Sequence, residues 1–269
     1  MLGSLSAAVS GLDVFQDDMN VIGNNIANVN TTAFKAARME MSNSFSNTLL
    51  AATGGSGGGN SMQIGTGVAV DSISNNWTKG TFATTNDSND VAINGDSFFM
   101  VRDPNAATAT TYATQAGAFS VDSSGYLVTA DGNYRVQGYT DSTHSTIGDI
   151  QVNASTFSVG SDGTVSTNIN GTQTPVGQIL LQSFQNPSAL VSVAGNLYSN
   201  TANAGPQATA TAPGTNGLNY LQAGALELSN VDLSGEMANL ITAQRGFEAN
   251  SKIITASNEM LQTVVNMVH

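Results

Sequence analysis

Leu233, Leu240, Phe247, Ile254, Leu261 and Val268 recur at every seventh position of the C-terminal segment, Ser229 to His269. An apolar repeat of seven sustained over that length puts these side chains along one edge of an α-helix. Ile241, Ile253, Met260, Val264 and Val265 flank the seam and widen it into a stripe, and Ser229, Asn230, Asp232 and Ser234 are candidate N-caps, with Glu236 suited to the first turn. The spacing predicts one long helix, which at 1.5 Å per residue would run about 55–60 Å. Such a helix needs a long partner.

Alone it would melt. Gly246, Asn250, Ser251, Thr255, Ser257 and Asn258 are mediocre or poor helix formers, and ordering so many backbone units costs more than six seam side chains return. A matching segment lies at the opposite end of the chain. Leu5, Leu12, Met19 and Ile26 are seven apart, and Ala8, Phe15 and Ile22 follow the first three of them by three residues, so both core positions of a heptad are filled. Two such helices at opposite termini predict an antiparallel terminal pair, coiled-coil-like in its seam. The flanking stripe would remain exposed in one copy, so ordering of the ends is expected to be coupled to self-association.

The charge balance narrows the partners. With 7 Lys and Arg against 19 Asp and Glu the net charge is −12, which argues against nucleic acid and against anionic membrane surfaces. Only 10% of the 269 residues are charged, so surface polarity comes from Asn, Gln, Ser and Thr, as suits a chain packed among copies of itself. The absence of cysteine removes disulfides, thiolate metal sites and a cysteine nucleophile. The N-terminal apolar residues are spaced as a helix stripe with no basic segment before them, so neither a cleaved signal peptide nor a membrane span is expected.

Asn28, Asn30, Thr31 and Thr32 compete for backbone hydrogen bonds and should end the first helix or bend it. The run Gly54-Gly55-Ser56-Gly57-Gly58-Gly59 reads as flexible linker, and nothing around it suits a phosphate loop. Beyond it the pattern is β. Val91 and Ile93 lead through Asn94-Gly95 toward Phe98 to Val101, a two-residue hairpin signal, and further hairpins are expected at Asp122 to Gly125, Ala130 to Asn133, Ser161 to Gly163 and Asn170-Gly171. Short strands at this spacing indicate an antiparallel sandwich or barrel. The expected class is therefore α+β: an N-terminal helix in residues 1–35, a Gly-rich extended linker in 36–67, a central all-β domain in 68–226 and a C-terminal helix in 227–269. Residues 200–219, rich in Ala, Thr, Gly and Pro, read as an extended surface segment.

Two long motifs carry a family resemblance. SGLDVFQDDMNVIGNNIANVNTTAFK, from Ser10 to Lys35, resembles the N-terminal signature of the bacterial flagellar rod and hook proteins, and ELSNVDLSGEMANLITAQRGFEANSKIITASNEMLQTVVN, from Glu227 to Asn266, resembles their C-terminal one. DVAINGDSFFMV, SVDSSGYLVTADGNYRVQGY and GNLYSNT in between are also similar. The resemblance implies a homopolymeric structural subunit of the flagellar axis, exported without a cleaved signal peptide. Its terminal helices would form an inner tube and its β domain the outer layer, and other axial proteins and an assembly cap would be its neighbours. Within that family the short hook type, a universal joint for torque, is the expectation on VIGNNIANVNTTAFK and AQRGFEANSKIITASNEML, and the distal rod type is the alternative, since it shares QIGTGV at Gln63 to Val68. On this resemblance the subunit contacts are Leu5, Leu12, Phe15, Met19, Ile22, Ile26, Leu233, Leu240, Phe247, Ile254, Leu261 and Val268.

No catalytic, cofactor or metal site is expected. His144 sits in a polar turn and His269 ends the chain, neither at ligand spacing from another donor. Asp87-Ser88-Asn89-Asp90-Val91 lacks the order of a calcium loop. A secreted adhesin-like β protein is the alternative from another class and a hydrolase a third, but neither accounts for two seven-residue seams at opposite ends.

Overall fold

The structure is a computed structural model that describes residues 2–50, 62–105, 110–140, 146–154, 156–169, 172–199, 202–205, 210–214 and 220–268. The chain divides into two compact units: Met1–Ala27 with Ala37–Asn76 and Asp232–His269, and Asn28–Ala36 with Trp77–Val231.

The first unit holds both long helices, α1 (Leu2–Ala27) and α2 (Leu233–Val268). Asp232 caps α2: its carboxylate Oδ1 accepts the Ser234 N–H at 3.1 Å and its carbonyl accepts the Glu236 N–H at 2.9 Å. The helices run antiparallel and pack on one another. β1 (Ala37–Asn43), β2 (Ser46–Leu50), β3 (Met62–Gly65) and β4 (Val68–Asn75) complete the unit. β1 pairs antiparallel with β4 from Ala37↔Asn75 to Asn43↔Val68, and β2 pairs with β3. α1 rests on β1 and β4 as well as on α2, and the Ser10 hydroxyl accepts the Val68 N–H at 3.3 Å.

The second unit begins with β5 (Phe82–Thr84) and β6 (Val91–Ile93) and continues through β7 (Phe98–Arg102), β8 (Thr111–Thr114), β9 (Phe119–Val121), β10 (Leu127–Thr129) and β11 (Arg135–Tyr139). β12 (Ile147–Asp149), β13 (Phe157–Val159), β14 (Thr164–Ile169), β15 (Thr172–Ile179) and β16 (Leu181–Gln182) follow. β17 (Val191–Ser192), β18 (Leu197–Ser199), β19 (Leu221–Ala223) and β20 (Ala225–Glu227) close the series. The main sheet has the open order β13-β14-β15-β11-β7-β8-β18-β17, with β10, β12 and β16 pairing alongside. β7 is its middle, because the run Phe98-Phe99-Met100-Val101 is buried on both faces. Phe99 and Val101 join Val136, Ile150, Ile179 and Leu181 on one side; Phe98 and Met100 join Phe184, Leu190 and Tyr198 on the other, under Trp77. Trp77 meets Phe98 and Tyr198 edge to face at 5.3 and 4.9 Å.

The α+β class and the antiparallel central region are as expected, and β9–β10, β10–β11, β13–β14 and β14–β15 form the hairpins that the turn residues indicate. The described sheet does not close on itself, so the barrel is absent. Asn94-Gly95 makes no hairpin. β6 pairs with β19 instead, and β7 takes the sheet centre between β8 and β11, because a strand apolar on both faces is best buried there. The stretch 36–67, expected as linker, carries β1, β2 and β3, while its Gly-rich run lies outside the described residues. β4 groups with the helices, and Asn28–Ala36 with Leu228–Val231 groups with the β unit, so these boundaries differ from 68–226. The 200–219 segment is not wholly at the surface: Ala204 is buried and Thr211 bridges Leu181.

Candidate assembly site

The α1–α2 contact is built from small and polar residues in a constant antiparallel register. Gly11 faces the Asn250 amide, and Gly246 faces the Phe15 ring end-on; a methyl group on either glycine would run into its neighbour. Asn25 is buried and makes three hydrogen bonds. Its amide donates to the Ala37 carbonyl at 2.8 Å and to Glu236 Oε1 at 3.2 Å, while its Oδ1 accepts the Ala37 N–H at 2.9 Å. Ala243 and Ser257 are buried along the same side of α2. These residues form their own heptad: Gly11, Asp18 and Asn25 are seven apart, as are Glu236, Ala243, Asn250 and Ser257. A seam of glycine, carboxyl and amide has no apolar periodicity to reveal it.

Two carboxyl groups lie in this seam. Burial pushes the Asp18 carboxyl above its ordinary value of 3.8. Burial also raises Glu236 above 4.5, with Asp18 and Asp232 adding repulsion against the lowering effect of the Asn25 hydrogen bond.

The structure places the expected contact residues unevenly. Ile22 is buried, and Leu5, Leu12, Phe15, Met19, Ile26, Leu240, Phe247, Ile254 and Leu261 are half-buried. Leu233 is exposed despite its seam position, because it is the first residue of α2, and the Val268 side chain lies outside the description. Ile241, Ile253, Met260, Val264, Val265 and Met267 all stand exposed, Ile241 at 58%. They leave α2 with a broad apolar surface that one copy does not cover.

The β unit carries a second set of buried polar contacts. Lys35 Nζ meets Glu227 Oε1 at 2.7 Å with the two side chains only 1% and 2% exposed. Lys35 also donates to the Thr78 carbonyl at 3.1 Å, and Glu227 accepts the Gly80 N–H at 2.9 Å. Asn230 joins the same knot, accepting the Ala36 N–H at 2.8 Å and donating to the Thr78 carbonyl at 2.9 Å. The chain segments entering and leaving the unit are thus tied together. On the sheet, Asp149 gathers Arg102, Arg135 and Gln137. Burial alone would raise its carboxyl, yet the hydrogen bonds from Arg102, Gln137 and Arg135 prevail and hold it below the usual carboxylate range.

Among the described residues no three His, Asp or Glu side chains converge as a metal-holding group, and no described helix is long and apolar enough to cross a membrane. His144 and His269 lie outside the described residues. Asp87 to Asp90 is a turn in which Asp87 Oδ1 accepts the Asn89 N–H at 3.1 Å.

Known sequences match this chain along nearly its whole length. Residues 5–35 fit the model described as flagella basal body rod protein, residues 92–167 the flagellar hook protein FlgE/F/G D1 domain, and residues 222–267 the flagellar basal body rod FlgEFG protein C-terminal region. The flagellar basal-body rod protein FlgG of Bacillus subtilis is 41% identical over 274 residues, with 99% of both chains covered. The chain belongs to the flagellar rod and hook protein family. This family member is a structural subunit of the flagellar axis. The FlgG rod protein of Caulobacter vibrioides is 36% identical over 266 residues, covering 96% of this chain and 97% of that one. The flagellar hook protein FlgE of Treponema pallidum is 42% identical over only 142 residues, 52% of this chain and 30% of the other. The hook type, expected from VIGNNIANVNTTAFK, is therefore the weaker of the two assignments. The two relatives above that match along the length of the chain are rod proteins.

Proposed function

We propose that the chain is the distal-rod subunit of a bacterial flagellum, polymerising with copies of itself into a straight section of the axis and joined at its ends to other axial proteins. One observation carries the choice: the rod relative from Bacillus subtilis is collinear with 99% of this chain, whereas the hook relative leaves about half of it unmatched. In this polymer the helices supply the subunit contacts through Leu5, Leu12, Phe15, Met19 and Ile26 on α1 and Leu233, Leu240, Phe247, Ile254, Leu261 and Val268 on α2, while Ile22 is already buried within one copy. The exposed apolar residues of α2 supply the surface that neighbouring copies cover, which is consistent with the 3.5-residue periodicity of the seam.

Immunogold labelling of isolated flagella tests the assignment. Label confined to the segment within the envelope, below the curved extracellular section, is the expected result; label on the curved section would replace the rod reading with the hook.

A further inference from the structure

We propose that a polar cavity in the β unit receives a lysine or arginine side chain from a second copy of this chain, an inference that rests on the self-assembly proposed above. The cavity measures about 370 Å³ and is lined by Thr31, Thr32, Thr114, Thr129, Asp131 and Asn196. Its walls are braced by hydrogen bonds. The Asn196 amide donates to the Thr32 carbonyl at 2.8 Å, the Thr114 hydroxyl donates to the Asn196 carbonyl at 2.9 Å, and Thr31 Oγ1 donates to Asn28 Oδ1 at 3.1 Å. Ala33 and Asn196 both sit at φ 55°, a left-handed conformation unfavourable for alanine in particular. The Ala33 N–H, donated to the Glu227 carbonyl at 2.8 Å, helps hold it there. The strained backbone and the bracing keep the turn at 28–33 in place against the sheet and the cavity open.

The chemistry of the lining selects the guest. Thr129 is buried in the cavity wall, and its hydroxyl oxygen, shielded from solvent, has no hydrogen-bond partner among the described residues. Asp131 is exposed and forms no ion pair among the described residues, and its carboxylate excludes anions. Ala116, Ala118, Ala130 and Leu197 supply its apolar lining, with no aromatic ring on which a sugar or base would stack. Hydroxyl oxygens beside one carboxylate suit a donor-rich cation. Each copy carries such donors. Of its seven Lys and Arg residues, Lys35, Arg102 and Arg135 are taken up by Glu227 and Asp149, while Arg38, Lys79 and Lys252 are exposed and unpaired among the described residues. Arg245 meets Glu248 only in an exposed pair. In a polymer whose every subunit carries a net charge of −12, placing these few cations against carboxylates of neighbours relieves repulsion and fixes register.

The critical concentration for polymerisation, measured by sedimentation of purified full-length protein, tests this. Asp131→Lys should raise it roughly tenfold or more by placing like charges together, and Asp131→Glu should leave it near wild type. Trp77 fluorescence melts of the dilute monomers should coincide, since Asp131 is exposed. Wild-type polymerisation by Asp131→Lys would overturn the proposal while leaving the subunit reading intact. Failure of the wild-type protein to polymerise would overturn the subunit reading itself.

Discussion

Glu227 shows how one side chain can hold two distant parts of this chain. Buried with Lys35 and bonded also to the Gly80 N–H, it cannot be removed without leaving an ammonium group in a dry site. Glu227→Ala should destabilise the β unit by on the order of 3–5 kcal/mol. Trp77, the single tryptophan, packs in the aromatic cluster of this unit, so its fluorescence melting curve reads the loss directly, and an unchanged curve would refute it. Lys35 closes the NTTAFK motif and Glu227 opens ELSNVDL, so both were visible as family signature residues. Their pairing was not legible, because nothing in the local pattern links positions so far apart in sequence. The same holds for Asp149 with Arg102 and Arg135: each is an ordinary charged residue until the sheet brings three strands together.

At the scale of elements, the two units should respond to acid with opposite signs. Asp18 and Glu236 have raised values in the folded helix pair. The stabilisation from holding their protons is therefore fully present below their ordinary values, near 3.8 and 4.5, and fades as pH rises through the raised ones. Asp149 is depressed, so its stabilisation is present above 3.8 and is lost as pH falls through the lower folded value. Thermal melts of the monomer followed at 222 nm should shift upward for the helices between pH 7 and 4, while the Trp77 transition holds and then drops in stronger acid. Parallel shifts of both probes would contradict this assignment of carboxyl groups. The long helices, their antiparallel pairing and four of the hairpins were readable because heptad spacing and Asp-Gly or Asn-Gly turns act locally. The polar heptad of Gly11, Asp18 and Asn25 was not, since a packing seam of glycine and amide carries no hydrophobic signal. Asn94-Gly95 misled for the reverse reason: a good local turn sequence yielded to the burial of both faces of β7.

For the whole molecule, the α+β class and the family were legible from the two ends, whereas the preference for rod over hook rests on how much of the chain each relative matches. The expectation that single copies have unstructured ends also changes in form. Both ends are helical in the structure, because α1 gains β1 and β4 as packing partners and Asn25 ties α1 to Ala37 and Glu236. Their large apolar side chains are nevertheless mostly only half-buried in one copy, which limits the hydrophobic stabilisation of the pair. Phe247→Asp should abolish polymerisation by placing a charge in the subunit contact, at a cost of several kcal/mol in every copy, while the Trp77 melt stays as in wild type; normal polymers from this variant would remove α2 from the contact.

Hydrogen exchange along α2, from Ile253 to Met267, compared between dilute monomer and polymer, addresses the central claim most directly. Amides in this stretch should exchange fast in the monomer, where Ile253, Met260, Val264 and Met267 face water, and become strongly protected in the polymer as neighbouring copies cover them. Equal protection in the two states would contradict assembly through the terminal helices.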